Sequence, residues 1–292
     1  SFVGLGAIGA PMASHIARAH SLTVWNRTRS RAEEFAATNR CTVVDTPREA
    51  AASADVLITC LPTSAEVAGL LDGPDGLLAG LRPGTLFLDC TSGDPATTRR
   101  IGATLAEMGI EFADAPVSGG TNGAMAGTLT VMVGGAEETF LRARPILECF
   151  GRRVEHLGPL GAGHAMKAVN NALLAVNVLA VGEGLVALVK SGIPARKAVE
   201  VLNASSGRSF VSEYLVPQRV LTRLWPLTFR VALLDKDARI AADFLDGAGV
   251  SGPILHLASA RMHQARLALG DAADYLEPIR LIEQEAGVEL HE

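Results

Sequence analysis

The sequence predicts an α/β half built on a mostly parallel sheet, then an all-helical half, with one long helix joining them. Three observations predict it. A Gly-x-Gly-x-x-Gly run at residues 4–9 lies between an opening strand and a helical pattern. Short apolar strands then alternate with helical segments as far as Val133. Residues 162–190 pass without a proline, and the sequence beyond them has no strand patterning. A length of 292 residues suits two domains. They are expected at 1–160, a dinucleotide-binding domain, and at 161–292, a helical domain beginning with the long helix 161–190.

Phe2 and Val3 end the first strand, which is expected to start a few residues before Ser1. The three glycines that follow have separate roles: Gly4 permits the tight turn, Gly6 lets backbone approach a pyrophosphate, and Gly9 lets helix and strand pack closely. Leu5, Ala7 and Ile8 complete the turn. The helix after it, reaching about Ala19, offers free N–H groups to a phosphate. The next strand is 22–25, and the residues at its end select the cofactor. An NAD site wants a carboxylate there for the ribose hydroxyls. This chain has Asn26, Arg27 and Thr28, with no carboxylate before Glu33. Arg27 can stack on adenine and pair with a 2′-phosphate, and Thr28 can donate to it. NADPH is therefore preferred over NADH, with a solvated charge run as the plain alternative.

The alternation continues with strands at 41–44, 55–61, 85–89, 111–114 and 130–133, and helices at 47–52, 64–71 and 95–108. Ligands in such sheets bind beyond the carboxyl ends of the strands. That sets Leu61 and Pro62, and Thr91 or Ser92, beside the cofactor, although each also reads as ordinary loop or cap. The glycine-rich stretch 114–129 contains Ser118-Gly119-Gly120, whose backbone N–H groups and hydroxyl would form a concavity suited to a small carboxylate. A bent hairpin that merely needs its glycines explains the same residues.

At about 1.5 Å per residue, the long helix would run for roughly 40 Å. It is apolar nearly all round, as a helix buried on several sides would be. Near its start stands one cation, Lys167, with Asn170 and Asn171 three and four residues on and so on the same face. Taken alone, Lys167 also reads as a surface lysine with its stem laid along the helix. Further helices are expected at 194–204, at 209–216 with Pro217 as the stop, at 231–245 around Asp235-Lys236-Asp237, at 253–269 and at 272–286.

A net charge of −5 argues against a general nucleic-acid or membrane-surface binder. The run at 172–189 is interrupted by Gly182, Glu183 and Gly184, which argues against a membrane span. Cys41, Cys60, Cys90 and Cys149 are scattered, without metal-ligand spacing, and read as free thiols in a reducing compartment. The cytoplasm is the expected location.

Four motifs together resemble the β-hydroxyacid dehydrogenases, the family of 3-hydroxyisobutyrate dehydrogenase, tartronate semialdehyde reductase and 6-phosphogluconate dehydrogenase. They are GLGAIGAPMA at 4–13, DAPVSGGTNGAMAGTL at 114–129, GAGHAMKAVNN at 161–171 and LDKDARIA at 234–241. The resemblance implies a Rossmann-like N-terminal domain, an all-α C-terminal domain, an active site in the cleft between them, and a homodimer or homotetramer. It implies Lys167 as the catalytic acid/base, Asn170 and Asn171 as substrate-orienting residues, and Ser118, Gly119 and Gly120 as the carboxylate site. Lys236 would approach the nicotinamide side, and Asn26, Arg27 and Thr28 fit the NADP-preferring pattern. The implied reaction interconverts a small 3-hydroxy acid and its semialdehyde, the lysine exchanging a proton with the substrate oxygen. Two positions depart from the family pattern: Ile8 stands where methionine is usual, and Asp89-Cys-Thr-Ser-Gly-Asp-Pro95 replaces the commoner Asp-x-Ser-Thr-x-x-Pro. An imine reductase is the rival enzyme, disfavoured by Lys167 and Ser118-Gly119-Gly120. A non-catalytic NADP-binding scaffold is the rival outside catalysis.

Overall fold

The computed structural model describes residues 1–291. The chain divides into two compact units, Ser1–Ala168 and Val169–Glu292. This division falls inside the long helix, whose first turns are hydrogen-bonded into the first unit.

The first unit is built on a six-stranded sheet of β1 (Phe2–Val3), β2 (Thr23–Trp25), β3 (Thr42–Val43), β4 (Val56–Thr59), β5 (Leu86–Asp89) and β6 (Glu111–Asp114). Its order is β3-β2-β1-β4-β5-β6 and every pairing is parallel. The order reverses between β1 and β4, the switch point at which such sheets bind dinucleotides. Successive residues face opposite sides of a strand. Phe2, Ile58, Leu86 and Leu88 therefore enter one core, and Val3, Leu57 and Phe87 the other.

The helices between these strands are α1 (Gly9–Ala17), α2 (Arg29–Ala36), α3 (Pro47–Ala52), α4 (Ser64–Gly69) and α5 (Pro95–Glu107). Several starts follow from local chemistry. Thr46 and Thr63 accept from the backbone N–H of Glu49 and Glu66, and Asp94 accepts from Ala96 and Thr97 ahead of α5. A second sheet, β7 (Val117–Ser118), β8 (Leu129–Val133) and β9 (Gly151–His156), joins the first through a bridge between Asp114 and Gly134. It carries α6 (Gly120–Ala126) and α7 (Glu137–Leu147).

Several of these elements are not signalled by the sequence. β9 reads Gly-Arg-Arg-Val-Glu-His and lies at a sheet edge, with little apolar alternation to mark it. The helix α7 contains Pro145, and α2 offers only Ala32, Phe35 and Ala36 as apolar residues. The stretch 118–127 connects the antiparallel pair β7 and β8 and includes the short helix α6.

The helix α8 (Ala162–Lys190) begins in the first unit and becomes the core of the second. There Ala175, Val178, Leu185 and Val186 are buried, and Gly182 lies against Ile279 and Ile282. By length and composition α8 could cross a membrane, and a third of its most apolar window, 33%, is buried within the chain. The second unit adds α9 (Ala195–Asn203), α10 (Val231–Gly247), α11 (Pro253–Leu269) and α12 (Pro278–Ala286).

Two expectations need correction here. Pro217 does not end a helix at 216, because a π-helix runs over Val211–Val220. Its wider turns, with Leu221 N–H reaching Val216 O, accommodate a residue that has no N–H to donate. The last helix starts at Pro278 and not at 272, because Asp274 is held in a bridge to Arg230 and in a buried pair with Arg219 at 2.7 Å.

Candidate active site

The glycine turn after β1 is shaped by exclusion. Gly4 has φ of 103°, and a Cβ there would collide with the Cys60 carbonyl at the end of β4. A Cβ on Gly9 would collide with the Gly4 carbonyl. Gly6 has open space around it, as a glycine lying beneath a bound pyrophosphate requires. The turn therefore fits a dinucleotide at each of its three glycines. Leu5 serves its shape: the side chain is buried, and the backbone N–H donates to Asn26 Oδ1 at 3.0 Å. Asn26 in turn donates through Nδ2 to Thr28 O at 2.8 Å, so one amide ties the glycine turn to the end of β2. Ala7 is exposed and Ile8 half-buried at the N-cap of α1.

Arg27 projects into solvent, its side chain 83% exposed, with Glu66 Oε1 at 3.7 Å. Thr28 is the N-cap residue of α2, but its hydroxyl makes no capping bond.

Beyond β4 and β5 the frame is tightly bonded. Asp89 Oδ1 accepts from the Thr59 hydroxyl and from Thr91 N–H, and the Thr91 hydroxyl accepts from Leu61 N–H at 3.1 Å. Thr91 is fully buried, Ser92 and Leu61 are half-buried, and Pro62 is exposed. Cys60 and Cys90 stand one residue beyond the ends of β4 and β5. Burial pushes the Cys60 thiol up to about 12 and raises Cys90 well above its ordinary value, so both stay protonated.

The start of α8 is capped from a distance. Asp114 Oδ1 accepts from Gly161 N–H and Oδ2 from His164 N–H, each at 2.7 Å. Burial of this carboxyl raises its pKa, while His164 and the two N–H donors oppose the rise. A Cβ on Gly134 or Gly163 would strike this carboxylate, so small residues surround the cap. The His164 ring is fully buried. Its Nε2 donates to Thr91 O at 2.8 Å, and its Nδ1 meets the Thr98 hydroxyl at 2.6 Å. With both nitrogens engaged, His164 fixes the helix start to the Thr91 turn. Lys167, in the next turn, is 9% exposed.

The turn at 118–120 leaves β7, where Ser118 pairs with Thr130 of β8. Gly119 and Gly120 have φ of 138° and 63°, left-handed values that glycine tolerates.

In the second unit, Asn170 Nδ2 donates to Asn171 Oδ1 at 3.0 Å, and Asn171 Nδ2 donates to Asp237 Oδ2 at 2.6 Å. The other oxygen of Asp237 holds Lys236 Nζ at 2.9 Å. Asn171 and Asp237 are buried and the Lys236 side chain is 12% exposed. The structure thus brings Asn170, Asn171 and Lys236 together through Asp237. Sequence reasoning gave Asp237 no role, because a carboxylate next to a lysine reads equally well as a solvated pair.

A parallel sheet with this strand order and this glycine turn defines a Rossmann-like dinucleotide-binding fold. Residues 1–158 match the family model described as the NAD binding domain of 6-phosphogluconate dehydrogenase. Residues 161–282 match the model described as the NAD-binding of NADP-dependent 3-hydroxyisobutyrate dehydrogenase. The chain is 38% identical to the NAD-dependent L-serine dehydrogenase of Pseudomonas aeruginosa, over 88% of this chain and 89% of that one. It is 34% identical to 2-(hydroxymethyl)glutarate dehydrogenase of Eubacterium barkeri, over 98% and 95%. The structure of Mycobacterium tuberculosis 3-hydroxyisobutyrate dehydrogenase with L-serine superposes with a TM-score of 0.86, at 32% identity and covering 96% of this chain and 97% of that one. The chain belongs to the β-hydroxyacid dehydrogenase family. It is an NAD(P)-dependent dehydrogenase of small hydroxy acids.

Proposed function

We propose that the protein interconverts a small 3-hydroxy acid and its semialdehyde, with NADP(H) preferred over NAD(H). The observation that carries this reading is Lys167, nine-tenths buried on α8 one turn before the Asn170–Asn171 pair that Asp237 holds. When bound, the nicotinamide cofactor supplies or accepts the hydride. The chain's own residues do the rest. Lys167 Nζ gives a proton to the substrate oxygen during reduction and takes it back during oxidation. Asn171 and Asn170 orient that oxygen, and Asp237 holds both Asn171 and Lys236 in place. The turn Ser118-Gly119-Gly120 takes the carboxylate. Gly4, Leu5, Gly6, Ala7, Ile8 and Gly9 cradle the pyrophosphate, with Leu61, Pro62, Ser92 and the Thr91 frame along the cofactor's flank.

The NADP preference rests on the absence of a carboxylate at the end of β2, on the exposed Arg27 guanidinium and on the uncommitted Thr28 hydroxyl. Glu66 at 3.7 Å from Arg27 tempers it, and the P. aeruginosa relative is named for NAD. A homodimer or homotetramer in the cytoplasm completes the reading. It is supported by the apolar surface that α8 leaves uncovered within one chain and by the four free cysteines.

The test is nicotinamide absorbance at 340 nm, with both cofactors, against a panel of 3-hydroxy acids (L-serine, 3-hydroxyisobutyrate, 2-(hydroxymethyl)glutarate), small semialdehydes and cyclic imines. Turnover of a hydroxy acid or semialdehyde, faster with NADP(H), is the expected result. Turnover of imines alone would refute the reading, and faster turnover with NAD(H) would refute the cofactor preference.

A further inference from the structure

His15 lies on α1, the helix that follows the glycine turn, and its ring reaches out of that helix to α6. Nε2 is 3.1 Å from Ala124 O and 3.0 Å from Met125 O, two carbonyls in the last turn of α6. Carbonyls only accept, so Nε2 carries the proton and donates to both. Nδ1 accepts from Arg18 at 3.4 Å. The ring also lies against Gly127, where the chain turns left-handed with φ of 66°; a Cβ there would sit 3.0 Å from the imidazole. Backbone bonds from Gly127 N–H to Ala124 O and from Thr128 N–H to Gly123 O complete the cap. Thus α6 is closed by a side chain borrowed from α1. A stretch of seven residues, α6 is about 10 Å long at 1.5 Å per residue. Its other end is the 118–120 turn, and the other end of α1 is the 4–9 turn.

We propose that His15 is a positioning residue that fixes the 118–120 turn to the dinucleotide-binding helix, so that cofactor binding orders the carboxylate turn. The inference rests on the reading of those two turns given above. Binding energy spent on α1 reaches α6 through one donor shared by two carbonyls, and the coupling is reciprocal. A cavity of about 290 Å³ opens beside the ring, lined by Pro11, Ser14, Phe35 and Met125 among others. Shortening or replacing the imidazole therefore widens an open cavity and leaves no sealed void, so variants at this position should fold.

Hydrogen–deuterium exchange of segment 118–128, with and without NADPH, is the direct test and does not depend on turnover. In the wild type NADPH should slow exchange of this segment. In His15→Leu the segment should exchange about tenfold faster, and NADPH should no longer slow it, while segment 151–156 stays unchanged. His15→Gln, which keeps a donor, should restore much of the protection. With 3-hydroxyisobutyrate as the kinetic probe, His15→Leu should raise KM about tenfold and leave kcat within about twofold, the signature of lost uniform binding. Protection that equals the wild type in His15→Leu overturns the proposal, as does uniformly faster exchange across 1–168. Ser118→Ala separates the two levels. If it leaves KM unchanged, the carboxylate reading fails. If it raises KM while His15→Leu leaves both KM and exchange unmoved, only the coupling fails.

Discussion

The two units hold their candidate site residues by different means. In the first, position is written in backbone: Gly4 and Gly9 are glycine because any Cβ would meet a carbonyl, whereas Gly6 faces open space. In the second, side chains hold one another. Asn170 leans on Asn171, Asn171 on Asp237 and Asp237 on Lys236, in a chain that closes across 66 residues of sequence. Where a Cβ would strike a carbonyl, as at Gly4 and Gly9, only glycine is acceptable and no side chain is needed to hold the turn. A side-chain network accepts several residue types singly and fails when one member leaves the others buried and unpaired.

The largest effect is expected where the two means meet, on α8. Lys167→Ala should lower kcat by about 10²- to 10⁴-fold, the usual worth of a positioned acid/base. Cofactor affinity should stay within a few fold, because the glycine turn is untouched. Titration of cofactor fluorescence alongside turnover checks both. A parallel loss of affinity would show that Lys167 supports the cofactor turn and not the chemistry.

Next comes the network. Asp237→Ala leaves a nearly buried ammonium and a buried amide without their shared acceptor, at a cost of about 3 kcal/mol or roughly 100-fold in kcat/KM if all of it falls on the site. Asp237→Asn keeps one acceptor oxygen and should recover part of that loss. If Asp237→Ala turned over like the wild type, the network would be a packing feature of α8 and α10 with no part in the reaction.

This contrast also explains what was legible in the sequence. The glycine turn, the parallel sheet and the long helix could be read because tight turns, strand alternation and the lack of proline act locally. The resemblance of the motifs then pointed to Lys167, Asn170, Asn171 and Lys236. Asp237 stayed hidden, because nothing local distinguishes a buried acceptor from a solvated carboxylate beside a lysine. His164 is marked as a strut only by its contacts with Thr91 and Thr98. The edge strand β9, the π-helix across Pro217 and the cap from Asp114 all depend on partners far along the chain.

A smaller effect is expected at the cofactor's far end. Arg27→Asp should weaken NADPH about tenfold or more and move the ratio of NADPH to NADH dissociation constants towards NADH, since one charge-assisted bond to a phosphate is worth about 1.5–3 kcal/mol. Glu66→Gln should move the ratio the other way by releasing the guanidinium from its 3.7 Å partner. Isothermal titration with 2′,5′-ADP reads this directly. Equal affinity for 2′,5′-ADP in the wild type and Arg27→Asp would remove Arg27 from the 2′-phosphate site.

The most modest effect belongs to the cap that joins sheet to helix. Asp114 accepts two N–H groups at the start of α8, and Asp114→Asn can supply only one acceptor, at a cost of about 1–3 kcal/mol. The pH dependence has a definite sign. Burial raises the carboxyl pKa above its unfolded value near 3.8, so the native state binds the proton more readily. The stability that Asp114 contributes is therefore greatest below about 3.8 and declines as pH rises through the native pKa. Urea unfolding of the wild type and Asp114→Asn in parallel should show a deficit for the variant that is larger at acidic than at neutral pH. A deficit that grows towards neutral pH would mean that the two N–H bonds outweigh burial. Asp114 would then act as a charged cap on the helix dipole, and its carboxylate would belong with the backbone-shaped devices of the first unit.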